Sequence, residues 1–462
     1  MFCALPLDAF GRVVAGSLIT PADAVASAIA AMTLERLAAG RYRIRARLDW
    51  AIGAYGIFLL LGAIGVLFSP DAWQISLKAL VQIAGIAIML LVTIALVNEV
   101  ARRPVLFADY VRLCTITLAI VSLIGVAQFL CANVLGHPEV LEFSFLNRWA
   151  RGNVWYNQGS LDGIVRANSI LQEPSALGMV LGTVAGVALM RLGIVGASQR
   201  DALIPLVPAW AAILIVAGYV VTVSLIDFIL LLIVGAAIWA VPLRNSKSAI
   251  GGLLAVIVVM GGFSYTAIIS TLPDVGKKIA SMGAIASDDI RVERAEDLSA
   301  IALAVNLSVM RSNLARAPLV GAGLGAHPIT YDRENPGLGR LPADLMTVGM
   351  NKEDAASLLI RLLSETGILG TLAFVAGWIL ALAASRRTII ASIDTQMTPN
   401  VFSALAIGVT ASMAGIGVAC LARAPQYYAP WFWLPMALTM SVPELLVRVE
   451  HDARRPPRQR TA

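Results

Sequence analysis

Charged side chains lie directly before an apolar helix in the stretch "RANSILQEPSALG", residues 166–178. Pro174 suits the first turn of a helix, because a backbone N–H is not needed there. The start of that helix would present free N–H groups and a partial positive charge, which together favour phosphate. Arg166, one short loop upstream, carries a planar guanidinium suited to phosphate oxygens. We therefore predict an anion site with Arg166 and Ser175 as ligands and Glu173 as either the helix N-cap or a general base.

A second charged stretch, "EDAASLLIRLLSETGILG", opens a late apolar helix. Asp354, Arg361 and Glu365 share one helical face, because residues three and four apart are neighbours. Arg361 and Glu365 can pair, and charges inside a membrane helix are usually paired or functional. Arg361, nearer the helix start, is a second candidate ligand for the anion. Asp354 is a second candidate base.

The segment between these stretches holds a predicted surface helix at 293–315 and a glycine turn, "PLVGAGLGAHP" at 318–328. Arg311 on the helix is a further candidate anion ligand. The glycine turn lacks the lysine of a phosphate-binding P-loop, so it predicts no nucleotide site. His327 within the turn is a lone loop histidine, for which a solvated position is the usual expectation.

Composition indicates a membrane protein. The 462-residue chain is 58% hydrophobic and only 14% charged, whereas soluble domains carry about 25% charged residues. The net charge of +6 does not indicate nucleic-acid binding, and the four cysteines have neither metal-ligand nor disulfide spacing. Ten stretches can span a bilayer, which takes about 20 apolar residues. They are 50–69, 77–97, 111–132, 175–192, 203–222, 226–242, 249–270, 357–384, 401–421 and 429–447. An eleventh, near 14–34, is a weak or re-entrant candidate.

Lysine and arginine in the short loops predict the sidedness of the chain. If the ten spans alternate, the basic loops fall on one side, which makes that side cytoplasmic. The predicted organisation is an N-terminal segment (1–49), three spans (50–132), an outer segment (133–173), four spans (174–270), a large outer segment (271–356), three spans (357–447) and a basic cytoplasmic tail (448–462). The fold class is therefore all-α and polytopic, with about 10–11 membrane helices and two periplasmic segments.

Three motifs resemble those of the bacterial O-antigen polymerase and ligase family. "RANSILQEPSALG" is similar to its R-x-x-G-x-x-x-E-P-S element, "SLLIRLLSETGILG" to its closing element, and "PLVGAGLG" to a turn that it carries between them. The resemblance implies a C-type glycosyltransferase-like fold. It also implies transfer of glycans from undecaprenyl pyrophosphate on the periplasmic face of the inner membrane, without a cofactor or metal.

Three departures from the family pattern refine this expectation. Ala356 stands where ligases carry a histidine, which favours a polymerase or a divergent relative. Leu225 replaces an arginine of the family's T-x-S-R element, and Ser169 stands where glycine is common. The remaining candidate pyrophosphate ligands are Arg166, Arg311, Arg361 and Ser175.

The expected activity is polymerisation of lipid-linked oligosaccharide repeat units into a surface polysaccharide. The alternatives are an O-antigen ligase that transfers glycan to lipid A core, and a transporter or flippase of a lipid-linked or anionic sugar. The resemblance implies undecaprenyl-pyrophosphate-linked glycan, the bilayer, a chain-length regulator and a flippase as partners, and no nucleic acid. The implied location is the bacterial inner membrane.

Overall fold

The computed structural model describes residues 12–14, 17–19, 21–44, 49–143, 160–161, 163–171, 173–193, 197–243, 298–334, 351–395, 400–423 and 427–454. The helices are α1 Pro21–Ala38, α2 Asp49–Leu67, α3 Ala72–Arg102, α4 Val105–Asn133, α5 Pro174–Arg191, α6 Ala197–Leu203, α7 Ala209–Val221, α8 Leu225–Ala240, α9 Leu298–Arg316, α10 His327–Glu334, α11 Leu358–Thr395, α12 Val401–Ala422 and α13 Pro430–Arg454. Two short antiparallel hairpins, Arg12–Val14 with Ser17–Ile19 and Ser160–Leu161 with Ile164–Val165, complete the described elements.

Within these ranges, seven helices are long and apolar enough to cross a membrane: α2, α3, α4, α5, α11, α12 and α13. Two shorter apolar helices, α7 and α8, lie among them. The chain is therefore an all-α, multi-pass membrane protein. The predicted span 249–270 lies outside the described residues.

Two predicted spans have different boundaries in the structure. The span predicted at 203–222 begins only at Ala209, because Pro205 and Pro208 interrupt the run and proline ends or restarts a helix. The weak span near 14–34 forms part of a hairpin followed by α1, which is not among the seven long apolar helices.

The best-buried helices of the bundle are α5 and α12, and they pack closely on each other. A Cβ on Gly186 of α5 would collide with the backbone carbonyl of Gly408 on α12, so the two backbones approach directly. Small residues allow such contacts in membranes, where dispersion and hydrogen bonding replace hydrophobic association. This contact helps to fix α12 against α5, whose first residues belong to the candidate site.

Loop contacts gather alternate helix ends at one end of the bundle. Asn133 at the end of α4 bonds to Val165, and the backbone N–H of Ala167 donates to the carbonyl of Val221 at the end of α7. The hydroxyl of Ser357, just before α11, donates to the carbonyl of Leu421 in α12. We call this end of the bundle the site end. The charge rule predicts that it faces outward.

Candidate functional site

The loop that carries Arg166 is held by buried hydrogen bonds. The side-chain amide of Gln128 accepts a bond from the Ser169 N–H (2.7 Å) and donates one to the Ser169 carbonyl (3.0 Å). Ser169 has a φ of 56°, in the left-handed region that favours glycine. This geometry gives a physical reason why glycine would suit the position.

Arg166 lies against the turn between α7 and α8. Its Nε donates to the carbonyl of Thr222 at 3.0 Å, so the guanidinium is fixed by backbone. Burial lowers the pKa of Arg166, while the charges of Asp227 and Glu173 oppose that shift and Arg423 adds to it. An arginine retains its charge at neutral pH despite such a shift. Arg166 is therefore a cation held close to two carboxylates and a second arginine.

Glu173 precedes α5 at the N-cap position, as the sequence predicted, but its carboxylate makes no capping hydrogen bond. The carboxylate instead pairs with Nη2 of Arg423, which follows α12. The hydroxyl of Ser175 donates to Glu173 Oε1 at 3.1 Å. The expected capping interaction is wrong, because a guanidinium competes for the same oxygen.

Asp354 lies in a tight turn before α11. Its Oδ1 accepts the N–H of Ala356 at 3.0 Å. Burial raises the pKa of Asp354; the charges of Arg361 and Arg423 lower it, and that of Glu173 raises it. Asp354 therefore interacts electrostatically both with Arg361 on α11 and with the Arg423–Glu173 pair.

Arg361 is 3% exposed and forms the predicted pair with Glu365, with Nε 3.5 Å from Oε2. This pairing is confirmed. Its guanidinium also lies over the ring of Tyr427, 4.5 Å from the centroid. Neither Nε nor Nη1 of Arg361 has a hydrogen-bond partner among the described residues. Such donors are costly to bury, and a suitable acceptor would relieve that cost.

Arg311 belongs to a different helix, α9. It is exposed on α9, whereas Asn306 and Asn313 of the same helix are buried. At 100° per residue, Arg311 lies about 140–160° around the helix from both of them. The structure gathers Arg166, Arg361, Glu173, Ser175 and Asp354 at the site end, whereas Arg311 lies on the exposed face of α9.

Sequence reasoning missed two charged residues of the site, Arg423 and Asp227. Asp227 is fully buried in the first turn of α8. An ionisable residue inside an apolar run is a functional signal in membrane proteins, and that signal was present in the sequence. Arg423 sits in "LARAPQYYAP", a short loop whose basic residue carries no comparable signal.

Backbone strain marks the same region. Six described non-glycine residues have positive φ angles. Except for Leu141, they lie within four residues of Arg166, Asp227 or Asp354: Ser169, Val223, Asn351, Ala355 and Ala356. A β-branched residue such as Val223 (φ 45°) is a clear outlier in this conformation. Strained backbone of this kind concentrates at functional sites.

His327 belongs to a buried polar network, so the expectation of a solvated loop histidine is wrong. It is 1% exposed, with Nε2 2.8 Å from Asn306 Oδ1 and Nδ1 2.8 Å from Ser364 Oγ. Asn313 donates to the same Ser364 oxygen, and Thr330 donates to Asn313. Because the Asn306 amide nitrogen donates to a carbonyl, its oxygen accepts, and Nε2 carries the proton. Burial lowers the pKa of His327 to about 3, so the ring is neutral.

The glycine turn inserts at a break in α11. Gly367 has non-helical angles (φ 62°, ψ −166°), which separate two helical arms. The backbone N–H groups of Ala322 and Gly323 donate to the carbonyls of Ser364 and Glu365 at 3.0 Å each. Carbonyls freed by a helix break are satisfied in this way. The turn therefore holds the arm that bears Arg361.

No family model matches the chain, and no curated protein matches it. Within the described ranges, no group of three or more histidine, cysteine or acidic side chains could hold a metal ion. The site is therefore described by its geometry alone: arginines and carboxylates lie close together at one end of a multi-pass membrane protein.

Proposed function

We propose that the chain is a membrane glycosyltransferase that polymerises lipid-pyrophosphate-linked oligosaccharides at the site end. The observation that carries this proposal is the convergence of three arginines from separate segments, Arg166, Arg361 and Arg423, with Glu173 and Asp354. A pyrophosphate on a lipid needs several cationic donors at the edge of a membrane. Arginine is well suited to that role, because its planar fork matches phosphate oxygens.

In the proposed reaction, the hydroxyl oxygen of the acceptor sugar forms a bond to the anomeric carbon of the donor. The bond from that carbon to the pyrophosphate oxygen breaks, and the pyrophosphate leaves with the electron pair. The arginines stabilise the charge that develops on the leaving group, which is commonly the largest catalytic contribution. The proton of the acceptor hydroxyl passes to a carboxylate, for which Glu173 and Asp354 are the candidates.

The ion pair between Arg423 and Glu173 links anion binding to base activation. A pyrophosphate at Arg423 competes with the carboxylate for the same guanidinium donors. Displacement of Glu173 would leave its oxygens available to accept a proton. Ser175, which donates to Glu173 Oε1, would keep the released carboxylate near the mouth of the site. This favours Glu173 over Asp354 as the base.

The direct test uses purified protein in proteoliposomes that contain undecaprenyl-pyrophosphate-linked repeat units. Chain growth on the lipid is the expected result. Arg166→Ala should abolish growth, and Arg166→Lys should reduce it less, because lysine keeps the charge but loses the fork. Arg387→Ala, at an exposed position in the distal part of α11, is the control and should leave growth unchanged. Normal growth by Arg166→Ala at equal protein level would remove Arg166 from the site.

The same vesicles separate the rival activities. A ligase would transfer glycan to added lipid A core without lengthening the lipid-linked chain. A transporter is favoured by one observation, the break at Gly367 beside the buried pair Arg361–Glu365, because transporters often place ion sites at interrupted helices. Movement of the lipid-linked sugar between leaflets without chain growth would replace the polymerase proposal with a transporter.

A further inference from the structure

Asp227 is a fully buried carboxylate, and neither of its oxygens has a hydrogen-bond partner of good geometry among the described residues. It packs against Gly178 of α5 so closely that a Cβ on this glycine would overlap the carboxylate. The hydroxyls of Thr222 and Ser224 lie close enough to stabilise the ionised carboxylate, although neither forms a hydrogen bond of good geometry with its oxygens. A carboxylate in such surroundings is costly to keep ionised unless nearby charges compensate it.

The compensating charges come from the candidate anion site. Arg166 donates its Nε–H to the carbonyl of Thr222, five residues before Asp227. Arg423 pairs with Glu173 at the start of α5, the helix whose Gly178 packs on Asp227. Both arginines interact electrostatically with the carboxylate. From α7, only the phenol of Tyr219 faces the carboxylate, and its hydroxyl has no hydrogen-bond partner in the described part of the chain. Helix α5 presents Gly178, with Glu173 at its N-terminus. The ionised form of Asp227 therefore depends on two arginines that a substrate would also use.

We propose that Asp227 is a proton-binding site linked to anion binding, and that it takes up one proton when a pyrophosphate binds Arg166 and Arg423. The anion brings negative charge next to the carboxylate and draws on the same compensating cations. Both effects favour the neutral acid. The only bond formed is the O–H bond of the acid, with a proton taken from solvent. The proton leaves again when the anion dissociates. This inference rests on the proposed function, because it needs a pyrophosphate at the two arginines.

The experiment measures proton uptake directly. The probe is farnesyl-pyrophosphate-linked N-acetylglucosamine, titrated by calorimetry into the full chain in detergent, in two buffers of different ionisation enthalpy. Both phosphates of the probe are esterified, so it lacks the ionisation near about pH 6 that a terminal phosphate shows. Any proton taken up therefore belongs to the protein. We expect uptake of up to about one proton per probe, and binding that tightens up to about tenfold per unit fall in pH.

Two variants assign the proton. Asp227→Asn should bind the probe without proton uptake and without dependence on pH. Asp201→Asn removes an exposed carboxylate of α6, outside the site end, and is the control that should retain the uptake. Glu173→Gln tests the carboxylate that pairs with Arg423, and it should also retain the uptake if Asp227 binds the proton. Because a buried substitution can impair folding, the pH dependence of the wild type and of Glu173→Gln provides a test that does not need the Asp227 variant.

The outcomes distinguish the two proposals. Failure of the wild type to bind the probe would overturn the pyrophosphate site itself. Binding with no proton uptake and a flat pH dependence would overturn only the proton site. Uptake that persists in Asp227→Asn, or disappears in Glu173→Gln, would also contradict the assignment to Asp227.

Discussion

Replacing Gly321 with alanine should displace the glycine turn from the break in α11. Gly321 has a φ of +69°, which favours glycine. A Cβ at this position would lie 2.5 Å from backbone atoms of residues 365–367. Backbone atoms cannot swing away as the end of a flexible side chain can. Gly321→Ala must therefore shift the turn, the helical arm, or both.

The chain offers a matched control in Gly40. Its φ of +67° is nearly the same, but a Cβ there would meet nothing within 4 Å. Both alanine variants carry the cost of the left-handed conformation, about 1–2 kcal/mol. Only Gly321→Ala adds the cost of overpacking, about 1–3 kcal/mol. We therefore expect Gly321→Ala to lose about 1–3 kcal/mol more stability than Gly40→Ala.

Reversible denaturant unfolding in detergent, followed by circular dichroism, measures this difference. The shift also moves the arm that holds Arg361, so Gly321→Ala should weaken binding of a pyrophosphate probe, whereas Gly40→Ala should not. Equal losses of stability in the two variants would refute the seating of the turn against α11.

Three further predictions concern the site end and the buried histidine. Arg423→Ala should weaken binding of a lipid-pyrophosphate probe by at least about tenfold, with Arg423→Lys intermediate, as measured by calorimetry; unchanged affinity would exclude Arg423 as a ligand. Glu173→Gln should lower turnover by roughly 100-fold or more while the donor still binds, and Asp354→Asn should lower it less; the reverse ranking in chain-growth assays would make Asp354 the base. Because the pKa of His327 is about 3 when folded and 6.5 in its ordinary state, the unfolded chain binds the extra proton between these values. Stability should thus fall as pH drops from 6.5 towards 3, by up to about 1.4 kcal/mol per pH unit. Unfolding curves of His327→Gln should lack this contribution, and an unchanged slope would contradict the buried neutral ring.

Local sequence rules predicted the features that depend on neighbouring residues. Helix α5 begins at Pro174, where proline suits the first turn. Arg361 and Glu365 pair as residues four apart on one helix do. The apolar runs identified the membrane class, because the bilayer sets their length and composition.

Features that depend on packing between distant segments could not be predicted. Arg423 reaches Glu173 across 250 residues of sequence, and only the packing of α12 on α5 brings them together. The burial of His327 likewise requires Asn306 and Ser364 from two other helices. The sequence of the glycine turn contains no pattern that identifies Asn306 and Ser364 as partners. The burial of His327 therefore could not be predicted from its neighbours in sequence.

One contact fixes where the chain enters α13 relative to α3. Tyr428 packs on Gly85, which lies thirteen residues after Ala72, the first residue of α3. Measured along α3, this is about 20 Å. Tyr428 therefore packs deep along α3 and not on its first turn. A side chain at residue 85 would collide with the Tyr428 ring, so the close approach of α3 to the start of α13 depends on this glycine.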